Sequence, residues 1–491
     1  MVDDKMAERR RSSPTKGVFD VLAIAVLVIL PIITLYVILG VSGPSWDMIA
    51  RSLNGKTLFD FITHVGSPSA PEMQVAFSGE ALNSLIYYFE PYREPLGTPI
   101  FAALDIVFKS SIFPYMIVEF VVLVAAVLFL GRELGINKVI MLAAFLNPYS
   151  LYFFFVLNGG EGLAVAFVLI GIAYLLRRNP LGGLFLGIAV IAKYPALALV
   201  PLIILLWNKK KVFIASLLAA APILIWGMID LGVWGTPFSS YLLSIQYSNV
   251  TASAASISIM AILAVIAYPA ILSGMAAVYL RKMRLSIKFG YREKVFASFI
   301  VLAFLGYIAI LPHNNTITQA RYGFLFGAAL MLMAALLMEK AVKRNSNAKY
   351  MAFAIAIGML MMMLLAFLMA GYTQVFHGTA AALAYYSPGG QNSIFADAGS
   401  ELAALGYANC RVVSNAWILM LYQGYDTYSP FAAYPDGEQL RYPVVVFNII
   451  GVPVNSTPLE SRLDSMRVAY SNENMTIYLP QGAGCYVYNE S

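Results

Sequence analysis

Charge is scarce in this chain. Of its 491 residues only 12% are Asp, Glu, Lys or Arg, whereas 60% are hydrophobic, and the mean hydropathy is +0.74. Soluble domains carry roughly a quarter of their residues as charges, so a soluble globular fold over the whole length is excluded. Cysteine occurs twice and histidine three times, with no spacing that would make a zinc cluster. A phosphate-cradling glycine loop and a Gly-x-Ser-x-Gly elbow are both missing, which removes nucleotide-dependent and serine-hydrolase chemistry from the candidates. No cofactor is implied. Carboxylates alone can hold a divalent ion, so a metal requirement stays open.

What the chain has instead is long apolar runs. A helix needs about 20 apolar residues to cross the hydrocarbon core. Val18–Val41, Phe113–Leu130, Val212–Trp234, Ser256–Leu280, Val295–Leu311, Gly323–Met338 and Met351–Ala370 all approach or exceed that length. Val139–Leu157, Leu163–Leu176, Leu184–Ala192 and Ala196–Trp207 read as short or re-entrant pieces. The expected fold is a polytopic α-helical membrane protein of about eleven transmembrane helices. The first apolar run is too long for a secretory signal and has no clean cleavage site after it, so it reads as a retained helix.

The net charge of +6 does not point to nucleic acid, because the cations do not form one face. They gather between apolar runs: Arg9-Arg10-Arg11, Arg177-Arg178, Lys209-Lys210-Lys211, Arg281 to Lys294, and Lys340 to Lys349. This is the positive-inside pattern of cytoplasmic loops. It predicts a basic cytoplasmic N-terminus (1–17), a membrane domain (18–370) and a C-terminal domain (371–491) on the outer side of a cell membrane or an endoplasmic-reticulum-like membrane. Short β-rich runs at Arg411–Leu421, Pro443–Val452 and Met466–Leu479, separated by turns, give that tail a small α/β fold. Cys410 and Cys485 both lie in it, where an oxidising compartment permits a disulfide. Asn455-Ser456-Thr457 and Asn474-Met475-Thr476 are glycosylation acceptors that suit the same side.

Candidate chemistry collects at the outer ends of the apolar runs. The first outer loop (42–96) is long, and loops of that size tend to be functional or separately structured. It opens with Gly43-Pro44-Ser45-Trp46-Asp47 and carries two amphipathic stretches, Trp46–Phe61 and Ala81–Tyr92; a third piece, Pro95–Ser110, also suits the membrane surface. Asp47 reads either as a helix N-cap or as a general base taking a proton from an acceptor hydroxyl. Trp46 suits headgroup depth. Cations are rare on this side. Lys193 in Ala192-Lys193-Tyr194-Pro195, Arg321 in Gln319-Ala320-Arg321-Tyr322, and Arg93 in Tyr92-Arg93-Glu94-Pro95 either snorkel to headgroups or bind phosphate. His313 stands near Arg321 in the chain. Glu161 sits in Asn158-Gly159-Gly160-Glu161-Gly162, where glycines permit close approach. Glu119, inside an apolar helix, needs a partner.

These pieces resemble the GT-C superfamily of membrane glycosyltransferases, which take sugar from polyprenyl-phosphate carriers. The resemblance is carried by Gly43-Pro44-Ser45-Trp46-Asp47 and its aromatic juxtamembrane stretches, and by Glu94-Pro95-Leu96-Gly97-Thr98-Pro99. Asn147-Pro148-Tyr149 followed by Asn158–Gly162, Leu184–Lys193 and Gln319-Ala320-Arg321-Tyr322 complete it. It covers about the first 345 residues and is closest in order to mannosyltransferases of lipid-anchor synthesis. It implies an inverting transfer of a hexose such as mannose to a lipid, glycan or protein hydroxyl, with Asp47 as base. Lys193, Arg321 and His313 would contact the donor phosphate, and Trp46, Glu161, Arg93 and Tyr322 the substrates. Two features depart from the family. Asp47 is followed by Met48 rather than a second acid, leaving Asp60, Glu72, Glu80 or Glu90 to assist, and the Trp-Trp-Asp-Tyr-Gly hallmark of oligosaccharyltransferases is absent. The rival readings are a secondary transporter lined by Lys193, Glu161 and Glu119, and a scaffold whose tail binds a partner. The first lacks the expected internal repeat, and the second leaves the outer cations without a purpose.

Overall fold

The structure is a computed structural model that describes residues 14–42, 47–49, 51–52, 55, 95–105, 107–108, 112–157, 160–234, 237–238, 241–242, 257–281, 290–311, 316–376, 394–408, 410–422, 425, 427–428, 442–448, 454 and 459–481. Trp46, Arg93, His313, Cys485, the acids Asp60, Glu72, Glu80 and Glu90, the stretch Ala81–Tyr92 and the acceptor at Asn455 lie outside the described residues.

Helix α1 (Pro14–Ser42) is followed by α2 (Gly97–Asp105) and α3 (Ile112–Leu134). Next come α4 (Lys138–Phe145) and α5 (Pro148–Val156), bent by 52° across two residues. The bend is written in Asn147-Pro148. Asn147 donates its side-chain amide to the Ala144 carbonyl (2.9 Å) and accepts from the Ser150 N–H (3.2 Å), capping a new helix start. Pro148 has no N–H with which to continue α4. Two phenols hold the corner: Tyr268 donates to the Ala143 carbonyl, and Tyr149 donates to the Ala320 carbonyl at 3.0 Å.

Helices α6 (Glu161–Leu176) and α7 (Leu181–Ala192) and a 3₁₀ segment (Tyr194–Leu206) follow. That last segment winds as 3₁₀ rather than α-helix, with Pro195 in its first turn, where proline is tolerated, and Pro201 inside it without an N–H to donate. Helices α8 (Lys209–Trp234), α9 (Ile259–Leu280), α10 (Tyr291–Ile310), α11 (Thr316–Tyr322), α12 (Phe324–Arg344) and α13 (Asn347–Phe376) complete the helical part. All eleven apolar runs of the sequence are helical. Among the described residues, however, only seven are long and apolar enough to cross a membrane, or eight if α4–α5 is one span. Helices α6 and α7 and the 3₁₀ segment fall short by length alone, at 16, 12 and 13 residues.

Lipid supplies no hydrophobic drive between helices, so close packing falls to small residues. A Cβ on Gly182 of α7 would stand 2.8 Å from the Gly171 carbonyl oxygen of α6, and one on Gly187 would stand 2.8 Å from Pro222 of α8. These three elements therefore pack almost backbone to backbone. Large apolar side chains such as Val21, Met228, Val278 and Met362 stand exposed around the outside, as lipid-facing surfaces do.

The C-terminal part is a five-stranded sheet, in the order β2-β1-β3-β5-β4. Strands β1 (Val412–Ser414), β2 (Thr427–Tyr428) and β3 (Val444–Phe447) are parallel. Strands β4 (Arg467–Ser471) and β5 (Met475–Leu479) run antiparallel, with a bulge between Val468 and Tyr470. Asn415 clamps the sheet by donating to the Phe447 carbonyl (2.9 Å) and accepting from its N–H (2.8 Å). Helix α14 (Ile394–Ala404) packs on it through Phe395 against Phe447. Cys410 is disulfide-bonded, and Asn474 lies in the tight β4–β5 turn.

Candidate active site

Glu161 is the centre of the site. It opens α6, directly after Gly160, whose φ of +96° is a left-handed turn that favours glycine. Its carboxylate is fully buried, which is costly unless opposite charges surround it. Two cations do. Arg321 donates from Nε to Glu161 Oε1 at 2.7 Å, and Lys193 Nζ stands 3.2 Å from the same oxygen. A second Arg321 nitrogen, Nη1, pairs with Asp47. Four groups from four distant stretches of chain thus meet in one cluster.

Each arrives for a local reason. Lys193 caps α7 in an extended conformation (φ −157°), so its side chain leaves the helix axis and turns inward over the Tyr322 ring, 5.6 Å from the centroid. Arg321 lies on the short helix α11, whose Ala320 carbonyl is held by Tyr149 of the Asn-Pro-Tyr corner. Gln319 on the same helix accepts from the Ser258 N–H at 2.8 Å, tying it to α9. Asp47 follows α1 within five residues and is helical.

Exposure falls steeply across the cluster. Asp47 and Arg321 keep 13% and 15% of their side chains exposed, whereas Glu161 and Lys193 keep 0% and 4%. The Asp47–Arg321 pair is therefore the more open end of the cluster. Burial alone would press the Arg321 guanidinium toward neutrality, but the carboxylates of Asp47 and Glu161 raise it above its ordinary range. Arg321 Nη2 is buried with no hydrogen-bond partner among the described residues, which makes it a donor available to an anion without breaking an existing pair.

The cluster extends beyond the residues singled out in the sequence. Glu119 of α3 is fully buried, and its Oε1 accepts from the Leu163 N–H at 2.8 Å, satisfying one of the orphan donors at the start of α6. A Cβ on Gly162 would stand 3.0 Å from this carboxylate, so the third glycine of the Asn158–Gly162 stretch is required by Glu119. The first-loop Arg51 is buried in the same region, a residue not singled out in the sequence because its position resembles an ordinary helical surface. The signal for it was its place one turn after Asp47. The cluster then holds Arg51, Lys193 and Arg321 against Asp47, Glu119 and Glu161, a neutral set. Among the described residues no three His, Cys, Asp or Glu side chains gather as a metal site.

Beside Lys193 lies an apolar cavity of about 370 Å³. Ile191 and Tyr194, within two residues of Lys193 in the chain, line it together with Ile223, Trp226, Phe238 and Leu242, and Asp230 is the one charged residue among its described wall residues. Phe238 adopts φ 61° and sits where a Cβ on Gly227 would collide with its ring.

No family model and no curated protein matches the sequence. Among solved structures the fold has a counterpart in the crystal structure of ArnT from Cupriavidus metallidurans bound to undecaprenyl phosphate. The match covers 95% of this chain and 98% of that one, with a TM-score of 0.54 at 13% sequence identity. That likeness shows the fold: an ArnT-like arrangement of membrane helices carrying a small C-terminal sheet.

Proposed function

We propose that this integral membrane protein is a glycosyltransferase that moves a sugar from a polyprenyl-phosphate carrier to a hydroxyl acceptor. The observation that carries the reading is the convergence of Asp47, Glu161, Lys193 and Arg321 at one partly open cluster. The fold likeness to a protein crystallised with undecaprenyl phosphate supports the choice of carrier.

In this mechanism Asp47 takes the proton of the acceptor hydroxyl. The freed oxygen bonds to the anomeric carbon from the side opposite the phosphate, and the carbon–oxygen bond to the carrier breaks with inversion. The electron pair leaves with the phosphate, which gains one negative charge. Arg321, through Nη2, and Lys193 stabilise that charge where it develops, in a poorly solvated site where such contacts count most. Asp47 is suited to the role by its place at the more open end of the cluster, beside Arg321. The apolar cavity beside Lys193 would receive the first isoprenoid units. A hexose such as mannose is the proposed sugar, with a lipid, glycan or protein as acceptor.

The positive-inside rule supports a site on the outer face. Helix α7 begins beside Arg177-Arg178 and ends at Lys193, and α12 begins beside Arg321 and ends among Lys340, Lys343 and Arg344. The cluster is thus at the opposite ends of these helices from the basic runs. By the same rule the C-terminal domain (371–491) is proposed to be extracytoplasmic and the N-terminus cytoplasmic.

The test is a panel of radiolabelled polyprenyl-phosphate sugars offered to purified protein with membrane extract, using wild type and Asp47→Asn. Transfer by wild type, a fall of about 10²–10⁴-fold in turnover for the variant, and retained donor binding are expected. Near-normal turnover in Asp47→Asn removes that residue from the mechanism. Net uptake of an unmodified solute into liposomes would favour a transporter instead.

A further inference from the structure

Arg51 stands one helical turn after Asp47 and is 1% exposed. Residues four apart on a helix share a face, so whatever fixes Arg51 also fixes the direction in which Asp47 projects. The guanidinium is enclosed by glycines from two separate parts of the chain. A Cβ on Gly97 would collide with its Nη1, and one on Gly160 would lie 3.1 Å from both Nη1 and Nη2. The Tyr115 hydroxyl of α3 lies beside it, and the charges of Glu119 and Glu161 reach the same hydroxyl. A buried guanidinium is tolerated only with such opposite charge around it. The three atoms nearest to such a Cβ on Gly97 all belong to Arg51.

We propose that Arg51 is the positioning residue for the base: a buried peg between Gly97 and Gly160 that holds Asp47 against Arg321. This rests on the function proposed above and adds to it a residue that touches neither donor nor acceptor. Arginine suits the role because its planar fork fills the slot between two backbones and still offers donors on both sides, where a lysine would present one point charge. Met48 and Ile49 bury the same helical piece in the apolar core, and Arg51 adds the polar contact that sets the direction of its Asp47 face. A misplacement of about 1 Å at a reacting group costs on the order of 10²-fold in rate.

Steady-state kinetics on Arg51→Met, Arg51→Lys, Arg51→Ala, Gly97→Ala and the Arg51→Ala/Gly97→Ala double variant test this. Arg51→Met should lose about 100-fold in kcat with donor KM changed by no more than about threefold, and Arg51→Lys should recover part of that loss. Gly97→Ala should lower kcat about tenfold in wild type but less than about twofold once Arg51 is alanine. A raised donor KM with normal kcat would make Arg51 a donor contact and overturn the proposal. So would wild-type kcat in Arg51→Met, or effects of Gly97→Ala and Arg51→Ala that simply multiply. Should Arg51→Met not fold, Arg51→Lys and Gly97→Ala carry the same comparison. Should wild type transfer no sugar, the functional reading fails by itself; the Gly97/Arg51 cycle read in Tm then tests the peg separately, and additive Tm shifts overturn it.

Discussion

The two ends of the helical part handle charge in opposite ways. At the end carrying the basic runs, the described ion pairs join one acid to one cation, with at least one partner partly exposed in each: Arg177 donates from Nε to Glu133 at 2.6 Å, Lys343 stands 3.6 Å from Glu339, and the buried Lys349 pairs with the partly exposed Asp20. At the other end Glu161 serves two cations on one oxygen, and Arg321 serves two acids. Exposed pairs contribute little to stability because water screens them. Shared, buried ones carry a desolvation cost that stability alone does not justify. The second arrangement therefore marks where chemistry is proposed, and the first marks where helix ends are tidied.

The largest test of that contrast is Glu161→Gln. It removes the carboxylate oxygen that Lys193 and Arg321 share, and it should cost about 3–5 kcal/mol of stability along with most transfer activity. Denaturant unfolding in detergent beside the transfer assay reads both. Unchanged stability would show that the buried cations never depended on Glu161. Next in size is Lys193→Ala, which should weaken carrier binding about 10–100-fold, the worth of a hydrogen bond between charged groups, as well as slow turnover. Titration with the polyprenyl phosphate alone measures it, and wild-type affinity would remove Lys193 from the phosphate. Tyr149→Phe is smaller: loss of the bond to the Ala320 carbonyl should cost about 1 kcal/mol and a few-fold in kcat by loosening the helix that carries Arg321. At the far end Arg177→Ala should leave Tm and turnover unchanged within error. A clear drop in turnover there would erase the distinction between the two ends.

Much of this was legible before any coordinates. Apolar runs are unambiguous against so little charge, and the same scarcity made Asp47, Glu161, Lys193 and Arg321 conspicuous. The Asn147-Pro148 break could be read from chemistry, because proline removes the donor that α4 would need next. The pairing could not. Nothing in the spacing tells that Lys193 and Arg321 share one oxygen of Glu161, since that depends on how α7, α6 and α11 pack. Glu119 could have been a pathway residue or a partner, and only the 2.8 Å bond from the Leu163 N–H identifies it as a helix-end acceptor. Arg51 went unread because its enclosing glycines come from remote segments. The apolar run Ala196–Trp207 was visible as a short segment, but nothing in its composition told that it winds as 3₁₀ over Tyr194–Leu206.

The neutrality of the cluster has one more implication for a turnover cycle. Among the described residues three acids and three cations sit together and balance, so under the proposed function the resting site already holds carboxylates standing in for the carrier's anion. Each departing lipid phosphate would find Asp47 and Glu161 waiting to reclaim Arg321, and the protein would return to rest without first flooding its interior.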